Sequence, residues 1–233
     1  MKGAFIAGTD TGVGKTEVGR ALLSLWAARG LRPRALKPIE TGCAPESPED
    51  ALALRAACGA PYDGLPLDEV CPLRLGLPAA PLMAAEHAGA ALDVERLEWA
   101  LARALASPGP LLVEAAGELL VPLWRERGAI VTNLELAARV GLPLVLVGRA
   151  RLGTLNHCAL SVRALRERGL SCVAIVLNRV QDDAGDPTVE RNAALLAELT
   201  GLPVLGPTLF EPDPARRPAV LGTALGGLAD LLV

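Results

Sequence analysis

The chain has 233 residues, of which 51% are hydrophobic, and its formal net charge is −3 at pH 7. This length suits one α/β domain with a sizeable core, and we expect residues 1–233 to form a single domain. The mild acidity argues against nucleic acid as a partner. No uncharged apolar run reaches about 18 residues, so we expect no membrane association.

Residues 8–16 read GTDTGVGKT and stand between a short apolar stretch and a helical pattern. Residues 4–7 predict a buried strand, and apolar residues recur at helical spacing after Thr16. A glycine-rich turn in this context predicts a phosphate-binding loop. Its backbone N–H groups would hold phosphate, Lys15 would reach the β- and γ-phosphates, and Thr16 would ligate Mg²⁺. Thr9 stands where the usual pattern has glycine.

The remaining elements follow from the periodicity of apolar residues. Strands are predicted at residues 34–37, 111–113, 144–147, 172–177 and 204–205, and helices at residues 49–58, 93–106, 134–140, 156–168, 188–200 and 222–232. Residues 39–48 are predicted to be a loop, and the Pro- and Gly-rich residues 60–81 irregular. Apolar strands separated by amphipathic helices predict one doubly wound, mostly parallel sheet with helices on both faces.

Ligands of such sheets bind at the carboxyl ends of the strands, where four features draw notice. Lys37, one of three lysines, ends the second strand and could neutralise a phosphoryl group, although a surface lysine is the ordinary interpretation. Glu114 ends the next strand as a candidate for Mg²⁺ or a simple loop acid. Asn178 could recognise an adenine edge or form a turn. Residues 153–156 open a helix whose N–H groups could hold a carboxylate.

Other side chains give little sign of chemistry. The five cysteines form no Cys-x-x-Cys pair, which indicates reduced thiols in a cytoplasmic protein. Asp50 looks like an ordinary acid of a helix N-terminus.

We expect Lys37→Ala to abolish turnover while largely sparing the fold, because a lysine at a sheet edge contributes little to a core.

The ordered motifs resemble the dethiobiotin synthetase family. The matching segments, spread over most of the chain, are residues 8–16, residues 37–42 (KPIETG), residues 50–54 (DALAL), residues 113–117 (VEAAG), residues 153–157 (GTLNH) and Asn178. The resemblance implies a fold of the P-loop NTPase type. The family usually has glycine where this chain has Ala115 and Glu118, and residues 206–211 also depart from its pattern.

The resemblance also implies a set of site residues. ATP would contact Gly12, Val13, Gly14, Lys15, Thr16, Glu17, Asp50, Glu114, Ala115, Ala116, Gly117, Asn178 and Arg179. Magnesium would be held by Thr16, Asp50 and Glu114, and the catalytic cations would be Lys15 and Lys37. The substrate would contact Thr11, Lys37, Thr41, Gly117, Gly153, Thr154, Leu155 and Asn156, the last four from the neighbouring subunit of a homodimer.

The implied reaction joins 7,8-diaminononanoate and CO₂ at the expense of ATP. A carbamate forms on one amine, its oxygen attacks the γ-phosphorus to give a carbamic–phosphoric anhydride, and the second amine closes the cyclic urea. The enzyme needs no nucleophile of its own, so positioning and charge stabilisation would do the work.

Two other functions remain open on the sequence. The first is a partitioning-type ATPase switch, which resembles this chain at the phosphate loop. Such proteins carry a lysine where this chain has Asp10, and their membrane-targeting members end in a basic helix, whereas residues 221–233 contain no Lys or Arg. The second is a stand-alone domain similar to the synthetase part of cobyrinate-type amidases.

Overall fold

A six-stranded parallel sheet forms the centre of the structure, a computed structural model that describes residues 2–182 and 186–233, with the backbone alone for residue 187. The strands of the chain are β1 (Gly3–Gly8), β2 (Arg34–Leu36), β3 (Ile39–Thr41), β4 (Leu73–Leu75), β5 (Leu111–Glu118), β6 (Pro122–Glu126), β7 (Ala129–Thr132), β8 (Leu144–Arg149), β9 (Cys172–Asn178) and β10 (Val204–Leu205). The order in the main sheet is β10-β9-β8-β1-β5-β2, and each pair of neighbours is parallel.

Helices cover both faces of this sheet. They are α1 (Lys15–Ala28), α2 (Glu49–Cys58), α3 (Leu67–Val70), α4 (Pro81–His87), α5 (Val94–Leu105), α6 (Asn133–Val140), α7 (Thr154–Glu167), α8 (Pro187–Thr200) and α9 (Arg217–Leu231). Within the described residues, no helix is long and apolar enough to cross a membrane.

Strand β1 shows why the sheet needs a layer on each side. Its successive side chains point to opposite faces, so Phe5 and Ala7 join the core that includes α5 to α8, while Ala4 and Ile6 join the core that includes α1, α2 and α9. All four are fully buried. Residues buried on both faces are typical of a doubly wound parallel sheet, and the predicted fold class is confirmed.

Two regions predicted to be irregular contain regular structure. Strand β3 lies in the predicted loop over residues 39–48, and it pairs in parallel with β4, which lies with α3 inside residues 60–81. Each strand has only three residues, too few to show a period in the sequence. Helix α4 was also not predicted.

A β-hairpin formed by β6 and β7 is a further element that the periodicity does not predict. Its two-residue connection consists of Arg127 at φ 50° and Gly128 at φ 81°. Positive φ at both central residues is the type I′ geometry that matches the twist of a hairpin. Arginine at the first of these positions is unusual, and the usual Asn-Gly signal is therefore missing.

The other predicted elements are present with shifted ends. Asp93 is the N-cap of α5 and accepts a hydrogen bond from the backbone N–H of Arg96. Strand β5 continues past Glu114 to Glu118, and the final helix begins at Arg217 rather than at residue 222.

We predict that Leu112→Ala destabilises the protein by about 2–5 kcal/mol, because Leu112 is fully buried between β1 and β2 and truncation leaves a cavity. Leu199→Ala is the matched control, since Leu199 is 61% exposed, and it should change stability by less than about 0.5 kcal/mol. Urea unfolding measures both variants. Equal effects would contradict this view of the core.

Candidate active site

The phosphate loop leaves β1 and ends where α1 begins. Gly14 precedes the helix at φ 87°, and no side chain of the described residues caps this end. A Cβ at position 14 would stand 2.1 Å from the Asn178 side-chain nitrogen, so only glycine fits there. The N–H groups of the first turn of α1 are thus available for an anion, as a phosphate loop requires.

Asn178 ties the end of β9 to this loop. Its side-chain nitrogen donates to the carbonyl oxygen of Val13 at 3.0 Å, and its oxygen accepts from the Thr208 hydroxyl at 2.8 Å. One amide hydrogen and one oxygen lone pair remain on Asn178. Contact with adenine stays a prediction, and the structure adds that Asn178 positions the phosphate loop.

Lys37 follows β2 and is buried among carboxylates from two other elements. Its ammonium group donates to Glu114 Oε1 and, at 3.1 Å, to Asp50 Oδ2. Glu114 is fully buried and Lys37 is 4% exposed. A charged lysine can be buried in this way only because its ammonium group is paired with carboxylates and hydrogen-bonded. Strand β5 and helix α2 are therefore joined electrostatically at the end of β2.

The Thr16 hydroxyl, in the first turn of α1, reaches the same two carboxylates. It lies 2.9 Å from Asp50 Oδ1 and 3.0 Å from Glu114 Oε1. A hydroxyl has one proton and can donate to only one of these oxygens at a time. Glu114 Oε2 is also buried and has no hydrogen-bond partner among the described residues. The oxygen cluster thus has unused capacity for a cation or for water.

The two lysines of the site are shifted in opposite directions. Burial opposes the charge of Lys37, but Glu114 and Asp50 outweigh burial and raise the pKa of Lys37. Burial and the neighbouring charge of Lys37 lower the pKa of Lys15. Lys37 is therefore a fixed cation with partners, whereas Lys15 stands to gain from an incoming anion such as phosphate.

Asp50 lies in the first turn of α2, and that turn is held in place by Glu40 on β3. The Glu40 carboxylate accepts from the backbone N–H groups of Asp50 at 3.1 Å and Ala51 at 2.9 Å. Pro48, the N-cap residue, offers no side-chain cap. Glu40 thus supplies the missing cap from another element and fixes the start of α2. Its role was missed because residues 39–48 were predicted to be a loop.

A cleft of about 750 Å³ opens above these groups and is lined by many of the predicted site residues. The predicted residues on its walls are Thr11, Gly12, Gly14, Lys15, Thr16, Glu17, Lys37, Thr41, Asp50, Ala116, Gly117, Asn178 and Arg179. Glu114 lies beneath it, bonded to Lys37, while Val13 and Ala115 are fully buried.

Sequence reasoning missed a second group of lining residues. They are Ile39, Glu40, Pro78, Ala79, Ala80, Pro81, Glu118, Val121, Val180, Leu209, Phe210, Glu211, Arg217 and Leu221. Most lie in loops or at the ends of short elements, and no spacing in the sequence identifies them as site residues.

Gly153, Thr154, Leu155 and Asn156 are not brought to this cleft within one chain. Gly153 precedes α7 at φ 93°, and Thr154 is buried at the start of that helix. Gly153 and Asn156 are exposed. The predicted contact between this segment and the substrate therefore stays a prediction.

The site's oxygen atoms fit magnesium. No group of three or more His, Cys, Asp or Glu side chains suited to a metal occurs within residues 2–182 and 186–233. Asp50 and Glu114 instead offer two carboxylates, and Thr16 offers a hydroxyl. The Thr16 oxygen lies 2.9 Å from Asp50 Oδ1 and 3.0 Å from Glu114 Oε1. Adjacent ligands of an octahedral ion with bonds of 2.1 Å stand about 3.0 Å apart, and Mg²⁺ commonly takes a few protein oxygens with water and phosphate.

The expectation that Lys37→Ala spares the fold is corrected by the structure. Lys37 is the partner of a fully buried carboxylate, so removing it leaves the charge of Glu114 without compensation. We predict that Lys37→Met lowers the free energy of unfolding by about 3–5 kcal/mol. In Lys37→Met/Glu114→Gln most of that loss should be recovered without any recovery of activity. Urea unfolding and turnover are measured on both, and unchanged stability of Lys37→Met would contradict the buried pair.

The contact between Lys37 and Asp50 predicts how the stability of the protein depends on pH. Burial opposes the charge of Asp50, but Lys37 outweighs it and holds the pKa of Asp50 below its usual 3.8. A lowered carboxyl pKa contributes stability that is present above the ordinary pKa and is lost as pH falls. The stability difference between wild type and Lys37→Met should therefore be constant from pH 7 to about pH 5 and narrow as pH falls below 3.8. A difference that widens at low pH would contradict this electrostatic assignment.

Comparison with solved structures reveals the same fold in distant proteins. The cell division ATPase MinD of Pyrococcus furiosus matches with a TM-score of 0.55 at 19% identity, over 99% of this chain and 98% of that one. A ParA family ATPase of Chlorobium tepidum matches with a TM-score of 0.54 at 14% identity, over 97% and 91% of the two chains. At these identities the likeness concerns the fold alone.

Comparison with curated proteins gives much closer relatives. The ATP-dependent dethiobiotin synthetase BioD of Anaeromyxobacter dehalogenans strain 2CP-1 is 46% identical over 227 residues, covering 97% of this chain and 98% of the relative. That of Thermodesulfovibrio yellowstonii is 36% identical over 211 residues, covering 88% and 87%. A family model described as an AAA domain matches residues 2–213. The chain belongs to this AAA-domain family and, within it, to the family of ATP-dependent dethiobiotin synthetases.

Proposed function

We propose that this protein is an ATP-dependent dethiobiotin synthetase, which forms a cyclic urea from 7,8-diaminononanoate and CO₂ in biotin biosynthesis. The observation that supports this most is the buried Lys37, held by Glu114 and Asp50 beside the phosphate loop. The nearly full-length relatives with this name add to that support.

The chemistry asks the protein to hold charge and position more than to form bonds. The carbamate of one amine attacks the γ-phosphorus, and the second amine then displaces phosphate as the ring closes. Lys15 would reach the phosphates from the loop, while Lys37 offers a cation that two carboxylates hold in place. A fixed charge costs little reorganisation when negative charge develops in the transition state.

Magnesium is proposed to lie on Thr16, Asp50 and Glu114, whose oxygens are close together and incompletely satisfied. When bound, the ion would neutralise charge on the phosphates of ATP. Glu40 supports this site indirectly because it anchors the first turn of α2, on which Asp50 lies.

The two ends of the cleft are proposed to take different parts of the ligands. Asn178 and Arg179, with the unpredicted residues 209–211, would hold the adenine side of ATP. Thr11, Thr41 and Gly117 would contact the diamine. Residues 153–156 lie outside this cleft, so the substrate's carboxylate would meet them from the second subunit of a homodimer.

We also propose that residues 1–233 act as one domain and that the protein works in the cytoplasm. Its five cysteines are free thiols, as expected in a reducing compartment.

We predict that ADP release by the purified protein, with Mg²⁺ and bicarbonate, depends on 7,8-diaminononanoate. The product should have the mass of the diamine plus one carbonyl carbon and oxygen, less two hydrogens. ATP hydrolysis that is indifferent to the diamine would contradict the synthetase and favour the ATPase switch.

Asp50→Asn should raise the Mg²⁺ concentration needed for half-maximal turnover at least about tenfold, because a carboxylate ligand is lost while side-chain volume is kept. Glu49→Gln is the matched control, since this neighbouring acid is exposed on the same helix. Titration of turnover with Mg²⁺ measures the effect. An equal Mg²⁺ requirement in wild type and Asp50→Asn would remove Asp50 from the proposed ion site.

A further inference from the structure

Glu118, at the end of β5, differs from the other acids of the cleft. Among the described residues it has no ion-pair partner, and its hydrogen-bond donor is a neutral hydroxyl. The other cleft carboxylates are already engaged: Asp50 and Glu114 with Lys37, Glu17 with Arg20, Glu211 with Arg216, and Glu40 with backbone N–H groups. Glu118 is therefore the cleft carboxylate with charge to offer a ligand.

The backbone at Glu118 is fixed by a buried side chain. Asn133, fully buried at the start of α6, donates from its amide nitrogen to the carbonyl oxygens of Glu118 at 2.7 Å and Ala116 at 2.8 Å. Gly117, between them, has φ 83°. This clamp holds the turn that follows Glu114 and sets where the Glu118 side chain begins.

The Glu118 carboxylate is oriented by the phosphate loop. The Thr11 hydroxyl donates to Glu118 Oε1 at 2.9 Å. Thr11 is itself held on both sides of its backbone, because its carbonyl accepts from Arg149 at 2.7 Å and its N–H donates to Asp10 Oδ1 at 2.8 Å. Arg149 and Asp10 form an ion pair with each other. Glu118 is thus held at its backbone by Asn133 and at one carboxylate oxygen by Thr11. A side chain held in this way is a preorganised binding group.

We propose that Glu118 binds an ammonium group of the diamine, with the Thr11 oxygen as a second acceptor. The inference rests on the proposed function and names a residue where the family usually has glycine. Aliphatic amines are cations at neutral pH, and Lys15 and Lys37 on the cleft would repel them. A carboxylate that accepts a charged N–H offsets this repulsion and gives one of the stronger kinds of hydrogen bond.

The position of Glu118 suits a diamine whose carbamate must meet the γ-phosphate. Glu118 lines the same cleft as Lys15, and its hydrogen-bond donor, Thr11, belongs to the same phosphate loop as Lys15. An amine bound at Glu118 would therefore share the cleft with the phosphates of ATP.

Calorimetric titration tests the proposal with two ligands and ATP replaced by its β,γ-methylene analogue. The ligands are 7,8-diaminononanoate and 7,8-dihydroxynonanoate, in which hydroxyls replace both amines. For Glu118→Gln, we expect the Kd of the diamine to rise at least about tenfold, and the Kd of the diol to change less than about twofold. Thr11→Val should weaken diamine binding by a smaller factor.

Glu98→Gln is the matched control, because this acid is exposed on α5 and its substitution makes the same chemical change. Glu118→Asp keeps the charge with a shorter reach and should fall between wild type and Glu118→Gln, which provides a second measure if the latter folds poorly. An unchanged Kd for the diamine, or an equal loss for diamine and diol, would overturn the role of Glu118. If the wild type bound no diamine, the proposed function would fail as well.

Discussion

The ion pair between Lys37 and Glu114 is the interaction on which the rest of the site depends. Both side chains are almost completely buried, and burying a charge is unfavourable unless it is paired with an opposite charge. Their attraction joins the ends of β2 and β5, and Asp50 extends it to α2. A buried ion pair contributes little net stability compared with apolar residues, so its value here is a cation held at a defined place.

The parallel sheet makes this placement possible. Strands β1, β2 and β5 run in the same direction, so the phosphate loop, Lys37 and Glu114 leave the sheet at the same edge. Helix α2 then returns Asp50 to that edge, with Glu40 at its first turn. The distant ATPases with the same fold have the same arrangement of layers, and the site residues are what separate one chemistry from another.

The sequence predicts those parts of the molecule that depend on local pattern. Buried strands, amphipathic helices and the phosphate loop have clear periods, and the strand-end position of Lys37 and Glu114 follows from them. Asp50 could be placed only by family resemblance, because its carboxylate reaches Lys37 through tertiary structure. Glu40 and Glu118 were not predicted as site residues, since each contacts another element: Glu40 accepts from the start of α2 and Glu118 accepts from Thr11. Three-residue strands and a hairpin with an Arg127–Gly128 turn give too little signal to predict.

The most direct measurement of the central claim is the titration of the lysine side chains by NMR. The chain has only three lysines, Lys2, Lys15 and Lys37, so a protein with labelled lysine gives three side-chain signals, and Lys2→Arg helps to assign them. The signal of Lys37 should remain that of a charged ammonium above pH 10.5, the usual pKa of lysine, and that of Lys15 should titrate below it. A Lys37 signal that titrates at or below pH 10.5 would contradict the buried ion pair as the organising interaction of this site.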